Sequence, residues 1–268
     1  MISADAQIER VRTFYDRWTP AFLAGYGTTL QAGFAKPDAD SPADPDASAV
    51  VLASRAGVRD GDRILDAGCG VGGPAMAIAA AHPRASVHGV TVSGAQADIG
   101  RRLIAGADLA ARVTITQADF HELPFADAAF DVVLFLESCG YSGARDALFA
   151  EAARVVRPGG QVYVKDVFVR TGPLTEGEAG SMAAFDDLWQ LASSPTLSGV
   201  TEDLEAAGCA VVTAGAVPHV DSDRFVAAMV EPDPETIFRL SELGRTFALS
   251  GADCPTFFGE VRARRAAE

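Results

Sequence analysis

A chain of 268 residues with 49% hydrophobic and 22% charged positions suits a folded protein with a sizeable core and excludes global disorder. Asp and Glu outnumber Lys and Arg by 36 to 22, and the net charge of −14 repels phosphate backbones and anionic lipid. Nucleic acid and membrane surfaces are therefore poor default partners; with widely separated cysteines, no secretory signal and no membrane-length apolar run, a cytoplasmic protein is expected, and a homo-oligomer is left open.

The first residues, MISADAQIERVRTFYDRW, lack the apolar core of a secretory signal. Ile8, Val11, Phe14, Tyr15 and Trp18 recur at helical spacing and predict a helix over 5–18. An aromatic stretch with Phe22, Tyr26 and Phe34 follows, and then 36–47, where Pro37, Pro42 and Pro45 stand among acids and read as a loop. From Ala49 the pattern alternates. Strands are expected at 63–67, 86–91, 112–117, 130–136 and 161–168, with helices at 73–82, 94–108 and 143–156 between them. The RPGG run at 157–160 reads as a helix stop. Helical patterning returns over 174–207, a strand is expected at 209–218, and after one or two helices a last strand at 255–264. Cys69, Cys139, Cys209 and Cys254 form no C-x-x-C and have no His at ligand spacing, so neither structural zinc nor a disulfide framework is expected, and no metal site is assigned.

This order predicts an α/β fold, a doubly wound and mostly parallel sheet with helices on both faces. The whole of 1–268 is read as one domain: a helical cap over 1–48, a ligand-binding core over 49–168, a helical lid over 169–207, and strands and helices completing the sheet over 208–268. The strongest local signal is ILDAGCGVGGPAMAIA at 64–79, where a strand ends and Gly68, Gly70, Gly72 and Gly73 lead into a helix. Glycines there permit tight turning and close backbone approach by a ligand at the helix N-terminus. The G-x-G-x-x-G spacing of Gly68, Gly70 and Gly73 admits a dinucleotide. Two features oppose it. Asp66 at the mouth of the turn repels a pyrophosphate and suits an ammonium or sulfonium, and the next strand ends His88-Gly89-Val90-Thr91 with no acid for an NAD ribose.

DAGCGVGG, GVTVSGAQ (89–96), ADFHELPF (118–125), DVVLFLES (131–138) and RPGG together resemble the class I S-adenosylmethionine-dependent methyltransferases over about 49–168. VTVSGAQ and Glu137-Ser138 make the chain most similar to the branch with sterol, tocopherol and prenyl-diphosphate C-methyltransferases. The resemblance implies S-adenosylmethionine as cofactor. It implies that Asp66 biases the field toward the cofactor's ammonium and that Gly68 and Gly70 admit its methionine part. Thr91, Val92 and Gln96 would stand at the ribose hydroxyls, Asp119 would accept from the adenine amino group with Phe120 near the ring, and Leu136 would line the same crevice. A valine at 68 is expected to block the cofactor's path.

Methyl transfer from a sulfonium is an in-line displacement in which positioning and desolvation carry much of the rate. An alkene acceptor also needs a carboxylate to steady the resulting cation and take its proton. Glu137, arriving from an apolar strand, is the candidate base, with a structural role for the following loop as the alternative. Tyr15, Trp18, Tyr26, Tyr141 and Trp189 are candidate walls of an apolar acceptor pocket; ordinary helix packing is the competing reading for each. The expected function is methyl transfer to a small, largely apolar specialised metabolite, with carbon of an isoprenoid-like acceptor first. The alternatives are transfer to oxygen or nitrogen, or a cyclase or binding protein that keeps the cofactor as scaffold.

Overall fold

Alternating apolar residues pair the short strands into one central sheet. The protein is described by a computed structural model over residues 3–222 and 255–267. In chain order the elements are α1 (Ala4–Tyr26), β1 (Phe34–Ala35), α2 (Pro45–Ala56), β2 (Arg63–Ala67), α3 (Gly73–Ala81), β3 (Ser86–Thr91), α4 (Gly94–Gly106), β4 (Val113–Gln117), β5 (Phe130–Leu136), α5 (Arg145–Val155), β6 (Val156–Val169), α6 (Glu176–Trp189), α7 (Leu197–Ala206), β7 (Cys209–Ala216), β8 (Val220–Asp221) and β9 (Thr256–Arg265). The sheet runs β4-β3-β2-β5-β6-β9-β7. Its first five strands are parallel, and β9 is antiparallel to both β6 and β7. This is the doubly wound, mostly parallel α/β sheet that the sequence predicts.

The period of two along each strand divides the core. Ile64, Val87, Val132 and Leu134 point to the face covered by α2, α3 and α4, where Leu52, Ala53, Ile78 and Ile104 are buried. Leu65, Val133, Phe135 and Val164 point to the other face, against Leu148 and Phe149 of α5 and Val200 and Leu204 of α7. A third cluster, with Phe22 and Tyr26 of α1 and Met182, Phe185 and Trp189 of α6, packs against Val167 and Phe258 at the end of the sheet. The strand order reverses between β2 and β5, so the crevice beyond their carboxyl ends is where such sheets bind ligands.

Several boundaries differ from the sequence reading. α1 continues through Pro20 to Tyr26, beyond the expected end at residue 18. α2 starts inside the segment read as a loop, with Asp44 accepting from the Ala47 amide at 2.7 Å and Pro45 in its first turn. It crosses the expected border between cap and core at 48. RPGG does not precede the strand but interrupts it: Phe130 pairs with Val156 and Val132 with Gln161, leaving 157–160 bulged opposite Asp131. The proposed lid over 169–207 splits. α6 packs with α1, whereas α7 buries Val200 and Leu204 against the sheet and is a layer helix. The helices expected before the last strand fall largely within 223–254, outside the described residues, as does Cys254. No described helix is long and apolar enough to cross a membrane.

Candidate active site

β2 ends by delivering Asp66 and then turns sharply. Gly68, Gly70 and Gly72 hold φ of +89°, +56° and +85°, a region that disfavours residues with a side chain. The amides of Gly68 and Cys69 donate to the Val90 carbonyl at 2.9 and 3.0 Å, which anchors the turn to β3. A Cβ at Gly68 would meet Ser138 Cβ at 2.4 Å, and Ser138 Oγ donates to the Ala67 carbonyl at 2.6 Å. The obstacle to a side chain at 68 is therefore the protein itself, which corrects the expectation that a valine there would block the ligand's path. Asp66 is 1% exposed, its Oδ2 has no hydrogen-bond partner, and burial pushes its carboxyl up to about 7. Cys69 inside the turn is buried, and burial together with the Asp66 charge raises its thiol well above the usual value.

The neighbouring strand ends supply polar groups. Thr91 Oγ1 donates to Gln96 Oε1 at 2.6 Å, and Ser93 caps α4 through the Gln96 amide at 3.1 Å. Asp16 of α1 accepts from Ser93 Oγ at 2.6 Å and from the Ala95 amide at 3.0 Å, docking the N-terminal helix on the same corner. Asp119 Oδ1 lies 2.7 Å from His121 Nδ1 and accepts from the His121 amide at 3.0 Å. Half-burial raises the Asp119 carboxyl, but these two bonds outweigh it and hold it below the usual value. His121 Nε2 lies 2.7 Å from Ser142 Oγ, so one imidazole ties the end of β4 to the loop after β5.

Asp66, Gly68, Gly70, Thr91, Val92, Gln96, Asp119, Phe120, Leu136 and Glu137 all line one open cleft enclosing about 1060 Å³, mouth included. Tyr15 and Tyr141 line it too, and their hydroxyls hydrogen-bond each other. They also line an adjoining cavity of about 500 Å³ with Trp189, Phe185, Leu191 and Asp166. Trp18 and Tyr26 line neither. Trp18 sits beneath the Arg17 guanidinium, 5.0 Å from the ring centre, and Tyr26 is buried against Phe22. Both belong to the aromatic cluster through which α1 packs.

Glu137 stands in the left-handed region at φ +57°, a strained position for a side-chain-bearing residue. Its carboxylate is engaged on both oxygens. It pairs with the fully buried Lys165 and accepts from the Ala32 amide at 2.6 Å and the Gly33 amide at 3.4 Å. Lys165 Nζ also donates to the Gly33 carbonyl at 2.7 Å and lies 5.0 Å from the Phe258 ring centre. The pair thus fastens the strap of residues 28–33 over the cleft. Sequence reasoning missed Asp166, which read as one more position in an apolar strand. It is 7% exposed, with Oδ1 accepting from the Val167 amide at 2.8 Å and Cys139 Sγ 3.2 Å from Oδ2. Burial, then the nearby Glu137 charge, push its carboxyl up to about 6. Asp186 and Asp187, the adjacent acids of α6, are taken by Ser194 and Arg10, and no group of three metal-ligating side chains gathers among the described residues.

Residues 64–160 match the model of a methyltransferase domain. These residues form a methyltransferase domain similar to those of the class I S-adenosylmethionine-dependent methyltransferases. The chain is 36% identical over 171 residues to methyltransferase GfsG of Streptomyces halstedii, covering 62% of this chain and 60% of that one. It is 40% identical over 122 residues to 27-O-demethylrifamycin SV methyltransferase of Amycolatopsis mediterranei, covering 46% and 44% of the two chains. To 24-methylenesterol C-methyltransferase 2 of Oryza sativa subsp. japonica it is 32% identical over 161 residues, covering 60% and 44%. The chain therefore spans roughly half the length of these curated relatives. In fold it is similar to the crystal structure of the [4+2]-cyclase SpnF, with TM-score 0.81, 22% identity and 97% of each chain covered.

The chemistry of the cleft fits S-adenosylmethionine, which carries both an ammonium and a sulfonium: it offers a buried carboxyl oxygen with no partner among the described residues, beside a turn with three glycines at positive φ. Of the described residues lining it, none is Lys or Arg.

Proposed function

We propose that this methyltransferase transfers a methyl group from S-adenosylmethionine to a small, largely apolar specialised metabolite held in the aromatic cavity beside the cleft. The observation that carries the reading is the partnerless Asp66 Oδ2 at the glycine turn, buried at the point where strand order reverses. In this reading Asp66 holds the cofactor's ammonium, and Gly68 and Gly70 give its methionine part room. Thr91, Gln96 and Val92 stand at the ribose, and Asp119 accepts from the adenine amino group beside Phe120. Thr91 Oγ1 donates to Gln96 Oε1 and accepts from the Ser93 amide at 3.2 Å, which leaves it one lone pair, and Gln96 keeps its amide nitrogen, for the ribose hydroxyls.

When bound, the cofactor supplies an electrophilic methyl group. The chain's own residues then position the acceptor and exclude water. The strap of residues 28–33, fastened by Glu137 and Lys165, covers the cleft, and the Tyr15–Tyr141 contact holds α1 against the loop after β5. Glu137, expected as the base, has both oxygens bonded, so we assign it to positioning the strap. Asp166 is then the carboxyl facing the adjoining cavity. An isoprenoid diphosphate finds no Lys or Arg among the described residues lining either space, so a neutral or cationic acceptor fits the site better. The test is incubation with methyl-labelled S-adenosylmethionine and a host metabolite extract. Label recovered in a small-molecule product supports the reading; cofactor binding without any labelled product assigns the cofactor a scaffold role and overturns it.

A further inference from the structure

The adjoining cavity has a definite chemical character. Its walls are the rings of Tyr15, Tyr141, Phe185 and Trp189 with Leu30, Val167 and Leu191. Three polar side chains besides the tyrosine hydroxyls enter it: Glu137, Gln31 and Asp166. Glu137 is neutralised by Lys165, which is itself withdrawn from the lining. Gln31 is 4% exposed, and its Oε1 is buried without a hydrogen-bond partner. Among the described residues Asp166 accepts from the Val167 amide and the Cys139 thiol, neither of them a charged donor. A carboxylate sharing a cavity with aromatic residues, with a second acceptor left open and no Lys or Arg among the described residues of the wall, is complementary to a positively charged group. The carboxylate supplies the counter-charge, the π-faces attract the cation, and the free amide oxygen takes an N–H.

We propose that this cavity is a subsite for an alkylammonium group, with Asp166 as its counter-ion and Gln31 as its second acceptor, so that the acceptor metabolite carries a basic amine that anchors it. This deepens the methyl-transfer reading and rests on it, because the cavity shares Tyr15, Leu30, Gln31, Glu137 and Tyr141 with the cofactor cleft. An amine held as the ammonium has no free lone pair, so it orients the molecule while another atom faces the methyl donor. The burial that pushes the Asp166 carboxyl up to about 6 still leaves it mostly ionised at neutral pH.

The test uses choline and its uncharged isostere 3,3-dimethylbutan-1-ol, titrated into the full chain loaded with S-adenosylhomocysteine. The expected result is a choline affinity at least tenfold above that of the alcohol, a preference that falls to within twofold in Asp166→Asn. Phe185→Leu, which removes a ring and leaves the carboxylate, is expected to lower choline affinity several-fold and keeps the test decisive where Asp166→Asn fails to fold. Equal affinity for the pair, no saturable choline binding, or an undiminished preference in a folded Asp166→Asn protein overturns the proposal. Failure of S-adenosylhomocysteine itself to bind the unmodified chain overturns the cofactor reading instead, and so the two failures are told apart.

Discussion

Two buried carboxyls of different standing organise the site. Asp66 is pushed up to about 7 by burial, and its Oδ2 has no hydrogen-bond partner among the described residues. An arriving ammonium lowers that value again, so between about pH 5 and 7 binding must expel a proton that the free carboxyl holds. Titrating S-adenosylhomocysteine calorimetrically in buffers of different ionisation heat should reveal proton release in that window, and Asp66→Asn should abolish it. Glu137 is the opposite case, already compensated by Lys165. Removing the cation by Lys165→Met leaves a nearly buried carboxylate unpaired, and the expected loss is about 3 kcal/mol in denaturant unfolding. Glu137→Gln combined with Lys165→Met should recover part of it.

Among the elements, the glycine turn and α6 use glycine for different reasons. At Gly68 the backbone is left-handed and Ser138 fills the space where a Cβ would stand. Gly68→Ala should therefore cost cofactor affinity at least tenfold and lower the melting temperature. Gly180 lies within α6 with nothing inside 4 Å of its would-be Cβ. Gly180→Ala should stabilise the protein by about 0.5–1 kcal/mol, read from the same unfolding curves. The first four strands of the core were legible to within a residue because buried parallel strands are short apolar runs punctuated by glycine and polar turns, whereas β6 begins five residues before its expected start. α2 was missed because Pro42 and Pro45 among acids look like a loop, although Asp44 followed by Pro45 is also a helix start. The aromatic residues expected around an acceptor were only partly legible. Helical spacing marks Tyr15 and Trp18 alike and the aromatic stretch after them marks Tyr26, and only the tertiary crossing of α1 separates Tyr15, which lines the cleft, from the other two. Asp166 and Lys165 were opaque because a charged residue inside an apolar strand says nothing of its partner, and here that partner or cavity is built by β5, α1 and α6.

Over the whole molecule, the acidity read from composition reaches into the site. With no Lys or Arg among the described residues lining either space, inorganic pyrophosphate should neither stabilise the protein nor compete with S-adenosylhomocysteine in a thermal-shift titration. A clear stabilisation would restore a diphosphate acceptor. The N-terminal helix, the strap and α6 are tied to the core by few but specific bonds: Asp16 to the start of α4, Glu137 and Lys165 to the strap, and Gln7 to the Gln190 carbonyl at 2.8 Å. The most direct measurement is a crystal structure with S-adenosylhomocysteine. The account predicts its amino group within hydrogen-bond distance of Asp66 Oδ2 and its adenine amino group at Asp119; a nucleoside bound elsewhere, or an unaltered Asp66 with no cationic neighbour, contradicts it.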